Sequence, residues 1–337
     1  LKSEVEAPNE ATLKLVIRSN QIKKCPVTPE DVDIAARIVG PDMSILKGKS
    51  RRTKPNVIHK DIVQIPKELI EKHHNLELHI DVMFINKLPF MTGIDNAIKH
   101  RMIATLESRH HDQFFEALDT FLRAYNAAGF LVKKLHADGE FRTMIDQVKD
   151  DLDVTLNYTT AGAHVPVAER NNQTIKGRVR TMYHRMPYNY IPKVMVQEMA
   201  IASTEQLNFF PVKGGVSSYF SPRMIMKHSN VDYNKHCLIP FGSFVQAEYE
   251  PKKRNTQHAR CKDAIYLRPL EVDQGGHLCM DLHTGARFTS HKVTVLPVTQ
   301  VVINAVNALG RRQGKKGLKF ENRHRVIMQD ADWIAGV

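Results

Sequence analysis

The sequence predicts an α/β core preceded by a helical, basic stretch and followed by a small all-β segment. Three observations predict it. Apolar residues alternate with period two at Leu78, Ile80, Val82 and Phe84, as in a strand with one buried face. Helix-period segments then follow, with Phe115, Leu118, Leu122 and Tyr125 on one face of the first and Ala168, Ile175, Val179 and Met182 on one face of the second. From about residue 240 short strand-like runs separated by glycine turns replace that pattern.

The 337 residues suffice for two or three domains. The expected division is a helical basic leader at 1–75, an α/β core at 76–235, a small barrel at 236–300 and a basic tail at 301–337. In the leader, Thr28-Pro29-Glu30-Asp31 is a helix start, with Thr28 as cap and Pro29 in the first turn. Val32, Ala35, Ala36 and Val39 continue the helical spacing, and Gly40-Pro41 stops it. Lys47, Lys49, Arg51, Arg52 and Lys54 then form a basic run that reads either as a solvated linker or as a nucleic-acid connector.

In the core, Asp81 sits mid-strand on the face opposite Leu78 and Ile80. Asp95-Asn96 marks a turn. Residues 112–128 form a helix that Gly129 can cap. A strand at 130–135 runs directly into His136-Ala137-Asp138-Gly139-Glu140-Phe141. Pro166 opens a helix to about residue 183, with Glu169 in its first turn and Asn172, Gln173, Lys176 and Arg180 in a polar and basic stripe. In the β segment, strands are expected at 244–249, 264–267, 277–282 and 293–296. The tail opens with a short apolar helix, then carries Arg311, Arg312, Lys315, Lys316 and Lys319.

The net charge of +12 favours a polyanionic partner, nucleic acid or an anionic membrane surface. No apolar run approaches the ~18 residues of a membrane span. The chain opens on Leu1 without a signal segment, which reads as a cytosolic or nuclear protein or a piece cut from a longer precursor. Cys25, Cys237, Cys261 and Cys279 show no CxxC spacing, so neither a disulfide framework nor a Cys-rich zinc site is expected. The sequence has no glycine-rich phosphate loop and no Gly-x-Ser-x-Gly elbow, which leaves nucleotide hydrolysis and acyl transfer without support.

Three carboxylates carry the chemistry: Asp81 in a strand, Asp138 at a strand end before Gly139, and Glu169 at a helix start 31 residues later (169 − 138 = 31). Such a set can converge on divalent cations, since hard Mg2+ prefers oxygen ligands. Two ions ~4 Å apart can activate the attacking oxygen and stabilise the leaving oxygen of an in-line phosphoryl displacement.

These residues resemble a known family, the integrases of retroviruses and LTR retrotransposons, specifically the copia type. The resemblance is carried by His79-Ile80-Asp81-Val82-Met83-Phe84-Ile85-Asn86, by His136-Ala137-Asp138-Gly139-Glu140-Phe141, and by Val167-Ala168-Glu169-Arg170-Asn171-Asn172-Gln173-Thr174-Ile175. It extends more loosely to Cys25–Asp31 with Leu46-Lys47-Gly48-Lys49, similar to a segment that precedes the core in the polyprotein. It also reaches Phe241–Gln246, Gln274-Gly275-Gly276-His277 and Thr284-Gly285, similar to the small SH3-like barrel that follows. Two departures stand out: the 31-residue interval is shorter than the family's, and Pro166 replaces a glycine. The family's zinc-binding His-His-Cys-Cys module is not recognisable.

The resemblance implies a ribonuclease-H-like core in which Asp81, Asp138 and Glu169 are both catalytic and metal-binding, with two Mg2+ (or Mn2+) ions. It implies DNA strand transfer, in which a 3′ hydroxyl of the element's cDNA attacks a target phosphodiester. Lys176 and Arg180 would face the DNA ends, with Arg170, Arg178 and Arg185 as further candidates. The implied partners are cDNA ends, target DNA and further copies of the chain, with no membrane, and the implied compartment is the nucleus. Two other readings stay open: a ribonuclease-H-like nuclease using water, and a decayed or domesticated element that binds DNA without catalysis.

Overall fold

The structure is a computed structural model that describes residues 8–49, 62–108, 110–158, 166–249, 259–272, 274–313, 317–321 and 327–330. Contacts divide the chain into two units, Leu1–Val57 with Gly242–Val302, and Ile58–Phe241 with Ile303–Val337.

The chain opens with α1 (Glu10–Arg18), capped by Asn9, whose side chain accepts from the Thr12 N–H at 2.8 Å. In α2 (Pro29–Val39) the Thr28 hydroxyl oxygen accepts from the Asp31 N–H at 3.2 Å. The Asp31 carboxylate accepts in return from the Thr28 N–H at 2.8 Å. This closed capping box satisfies two donors that a helix start leaves orphaned. Gly40 ends the helix at φ +75, a conformation that L side chains resist. Leu13 and Val32 are buried where α1 meets α2, and Lys14 pairs with Asp33. α3 (Met43–Lys49) follows. Of the expected basic run, Arg51, Arg52 and Lys54 lie outside the described residues, as does the Lys49 side chain.

After α4 (Lys67–Lys72) come β1 (Asn75–Ile85), β2 (Leu88–Asp95) and β3 (Arg101–Thr105), an antiparallel meander. The β1–β2 hairpin turns on Asn86 and Lys87, both at positive φ (51 and 65), so the turn's twist matches that of its strands. α5 (His111–Ala127) leads to β4 (Leu131–Ala137), which runs parallel to β1. A 3-10 turn, Gly139–Met144, and α6 (Ile145–Leu152) lead to β5 (Thr155–Tyr158), parallel to β4. The helices α7 (Pro166–His184), α8 (Lys193–Leu207), α9 (Pro222–Lys227) and α10 (Tyr233–His236) complete this stretch.

The mixed sheet therefore runs β3-β2-β1-β4-β5, with β1 central. On one face Leu78, Ile80, Val82 and Phe84 are buried in a cluster with Phe114, Leu118, Phe121, Leu122 and Tyr125 of α5. Each such side chain contributes roughly 1.5–3 kcal/mol on burial. The helices α7 and α8 pack on the other face through Ile175, Val179, Met195 and Met199. The expected strand at 78–84 and helix at 112–128 are both present, one residue displaced for the helix.

The second sheet is antiparallel, in the order β10-β6-β7-β8-β9. Its strands are β6 (Phe244–Glu248), β7 (Cys261–Pro269), β8 (His277–Asp281), β9 (Arg287–Ser290) and β10 (Val293–Val295). Four of these were expected; β9 adds a fifth. The leader docks on this sheet through α3: the Lys47 carbonyl accepts from the Arg260 N–H at 3.1 Å, and the Lys47 ammonium lies 2.9 Å from Asp263.

The tail forms α11 (Gln300–Arg312), β11 (Lys319–Glu321) and β12 (Ile327–Asp330). β11 pairs with the far end of β1, Phe84 opposite Glu321. No strand was expected after the first tail helix; the structure adds β11, in which Phe320 is 2% exposed and for which β1 supplies the backbone partners. Lys315 and Lys316 lie outside the described residues. Among the described residues no helix is long and apolar enough to cross a membrane, and all four cysteines are free thiols.

Candidate functional site

β1 borders β2 along one edge. Along its other edge β4 pairs with Asn75–His79 and β11 with Phe84–Ile85. Among the described strands neither reaches residues 80–83, and Asp81 lies in that gap. The parallel register pairs Glu77 with Lys134 and His79 with His136. The pairing ends at that step, and Asp81 and Asp138 each follow it by two residues, Asp81 still within β1 and Asp138 just past the end of β4. The His79 and His136 rings stack 4.6 Å apart at 16°. His136 Nε2 contacts Glu77 Oε2 at 2.8 Å. Burial, helped by the His136 charge, holds the His79 ring down to about 4, so it is neutral near pH 7.

Asp81 is half-buried, and burial is the main cause that pushes its carboxyl up to about 6. The Val82 N–H, donating at 2.7 Å, and the Lys176 charge oppose the rise, while the negative charges of Asp138 and Glu169 add to it. The electrostatics therefore link Asp81 to both other carboxylates of the set. Asp138 is half-buried just past β4, and its carbonyl accepts from the Phe141 N–H at 3.1 Å. Glu169 is exposed in the first turn of α7.

Sequence reasoning placed Asn172 on a polar surface stripe; in the structure it is buried. Its Nδ2 donates to Asp81 Oδ2 at 2.7 Å, and its Oδ1 accepts from the Thr92 hydroxyl at 2.6 Å. Thr92 stands opposite Asp81 in the hairpin register and also reaches the Asp81 carbonyl at 3.2 Å. Thr92 and Asn172 thus hold one carboxylate oxygen in place from both the sheet and α7. The available signal was the i+3 spacing of Asn172 from Glu169; Thr92 had none, because its strand was not foreseen.

Of the expected DNA-contacting residues, Lys176 is half-buried. Burial pulls its ammonium below the usual value, Asp81 opposes that and Arg180 adds to it. The Arg180 guanidinium lies 5.2 Å from the Phe320 ring centre. Arg170, Arg178 and Arg185 are exposed. Arg178 acts on Arg101, whose pKa burial lowers and whose neighbouring Asp95 raises it. The structure thus brings Asp81, Asp138, Glu169 and Lys176 into one electrostatic neighbourhood and leaves Arg170 and Arg185 on the solvent side.

Among the described residues no three His, Cys, Asp or Glu side chains are gathered closely enough to hold a metal ion. The donor set nevertheless fits a hard divalent cation in kind: three carboxylates without a thiolate, one of them disfavoured as an anion by burial and, less, by the charges of the other two.

The fold and the site together define a mixed α/β sheet protein with carboxylates within β1, just past the adjacent parallel β4 and at the start of α7. No family model matches the chain, and no curated protein matches it. Among solved structures it is similar to the catalytic core domain of BIV integrase in crystal form I, at 16% identity and a TM-score of 0.34. That likeness covers 46% of this chain and 94% of that one. A likeness of that size does not bear on the chemistry of the site.

Proposed function

We propose that the chain is a polynucleotidyl transferase: a copia-type integrase with a ribonuclease-H-like core that joins cDNA 3′ ends to target DNA. The observation that supports this reading is that Asp81 and Asp138 each follow the last parallel pair of β1 and β4 by two residues, with Asp138 and Glu169 near enough for their charges to act on Asp81. Asp81, Asp138 and Glu169 would hold a pair of Mg2+ or Mn2+ ions, which when bound supply a strong positive field for phosphoryl displacement.

The chain's own groups do the rest. Asn172 and Thr92 fix the Asp81 carboxylate, so no reorganisation is needed as charge develops. Lys176 and Arg180 place positive charge one and two turns along α7 from Asn172, where a DNA phosphate is attracted. Arg170 and Arg178 would contact the phosphate backbone further out. The proposed partners are cDNA ends, target DNA and further copies of the chain, because two ends must be joined together. The proposed site of action is the nucleus.

The test is Asp138→Asn in an assay that joins a terminal DNA duplex to a plasmid. Mg2+-dependent joining should vanish while salt-sensitive DNA binding persists. Joining by that variant would remove Asp138 from the catalytic set. Wild-type protein that cleaved DNA to water without joining would instead identify a nuclease.

A further inference from the structure

The small β unit holds an ammonium group in a seat of its own. Lys262 Nζ, from β7, lies 4.1 Å from the Tyr249 ring centre and 5.5 Å from the Phe288 ring centre. It lies 3.5 Å from an Asp281 carboxylate oxygen. The three surrounding groups come from separate strands. Tyr249 directly follows β6 and is held there by its N–H donating to the Arg260 carbonyl at 2.8 Å. Phe288 is on β9, and Asp281 ends β8.

Asp281 is fixed before any ligand arrives. Its carboxylate accepts from the His283 and Thr284 N–H groups at 2.9 and 3.0 Å. Two ring faces and a preorganised carboxylate thus converge on one cation. A ring face carries negative charge and attracts cations, and quaternary ammonium groups are well suited to such seats. A quaternary ammonium has no N–H groups to strip of water, and its methyls lie flat against ring faces. A primary ammonium on a four-carbon stem must instead give up hydration and rotamer freedom to stay there. Tyr249 is 37% exposed and the Lys262 side chain 36% exposed, so the seat opens to solvent once Lys262 swings away.

We infer that Tyr249, Phe288 and Asp281 form a binding seat for a quaternary ammonium group of a partner, with Lys262 as its internal competitor. Two sources carry that group, a trimethylated lysine side chain and a choline headgroup, and the experiment separates them.

The experiment uses the full chain carrying Lys262→Ala and two probes. One is a short peptide with a trimethyl-lysine, set against its unmethylated form; the other is phosphocholine. Lys262→Ala should bind one of these probes about tenfold more tightly than wild type, and the probe that binds identifies the source. Adding Tyr249→Ala should abolish that gain, whereas adding Tyr249→Phe, which keeps the ring face, should preserve it. The inference is overturned if neither probe binds Lys262→Ala, or if the unmethylated peptide binds as well as the trimethylated one. Binding that survives Tyr249→Ala overturns it too. Weaker binding of duplex DNA by Lys262→Ala, without any quaternary-ammonium preference, would make Lys262 a phosphate contact and overturn it as well.

Discussion

Asn172 is the residue on which the carboxylate site turns. Its amide joins Asp81 to Thr92, its nitrogen donating to the one and its oxygen accepting from the other. Asn172→Ala should cost about 1–3 kcal/mol in urea unfolding, because the half-buried Asp81 carboxylate loses a donor and the buried Thr92 hydroxyl an acceptor. It should also depress DNA joining while leaving DNA binding in place. Joining at the wild-type rate would separate Asn172 from the chemistry. His100 gives a second prediction. It is 8% exposed, and burial, with the Lys227, Arg101 and Arg223 charges adding, pulls its ring from 6.5 down to about 3. Below about pH 6.5 the unfolded chain takes up a proton that the folded chain refuses until about pH 3. Stability is therefore lost as pH falls through that window, by ~2–3 kcal/mol near pH 4.5. His100→Phe keeps the ring against Tyr125 and cannot titrate, so its stability should fall less steeply with acid than that of wild type. Parallel acid limbs in urea titrations of the two proteins would refute this.

At the scale of elements, the helices and strands that read clearly in the sequence are those whose signals are local. α2 announces itself through Thr28, Pro29 and Gly40, and β1 and α5 through their periodicity. α8 is the opposite case. It buries Gln197, Glu198, Ser203 and Thr204 along with Met195 and Met199, so no polar face gives it a helical period. α11 is positioned by a close backbone approach. A Cβ at Gly310 would come within 2.6 Å of the Tyr190 carbonyl carbon and 2.8 Å of the Ile191 nitrogen. Backbone cannot step aside as a side chain can, so Gly310→Ala should destabilise by about 1–3 kcal/mol. The helix should then separate from residues 189–191, where the Asn307 side chain accepts from the Asn189 and Tyr190 N–H groups at 3.0 and 2.9 Å. Unchanged amide-exchange protection at Asn189 and Tyr190 in that variant would show the contact to be dispensable.

For the whole molecule, charge sets the expectation. The 48 basic residues exceed the 36 acidic ones by 12. If DNA is the partner, binding releases counterions from the phosphates it neutralises. With about six such contacts, affinity should fall roughly a thousandfold between about 50 and about 200 mM salt. Filter binding or anisotropy across that range checks it, and a flat salt response would remove DNA as the partner. The division into two units belongs to the same scale. The leader joins the β segment more than two hundred residues away, through α3 and Arg260, Cys261 and Asp263.

The identity and order of the carboxylates, the face on which Asp81 stands and the helix that carries Glu169 are legible in the chain alone. Those come from alternation, helical spacing and capping, which act over a few residues. The parallel pairing of β1 with β4, which ends at His79 and His136 two residues before Asp81 and Asp138, appears only in the tertiary structure. The same holds for the inward turn of Asn172 toward Asp81, the pairing of β11 with the end of β1, and the convergence of Tyr249, Phe288 and Asp281 on Lys262. Each of these joins residues far apart in the chain, and the energy that selects them arises only once the elements are packed together.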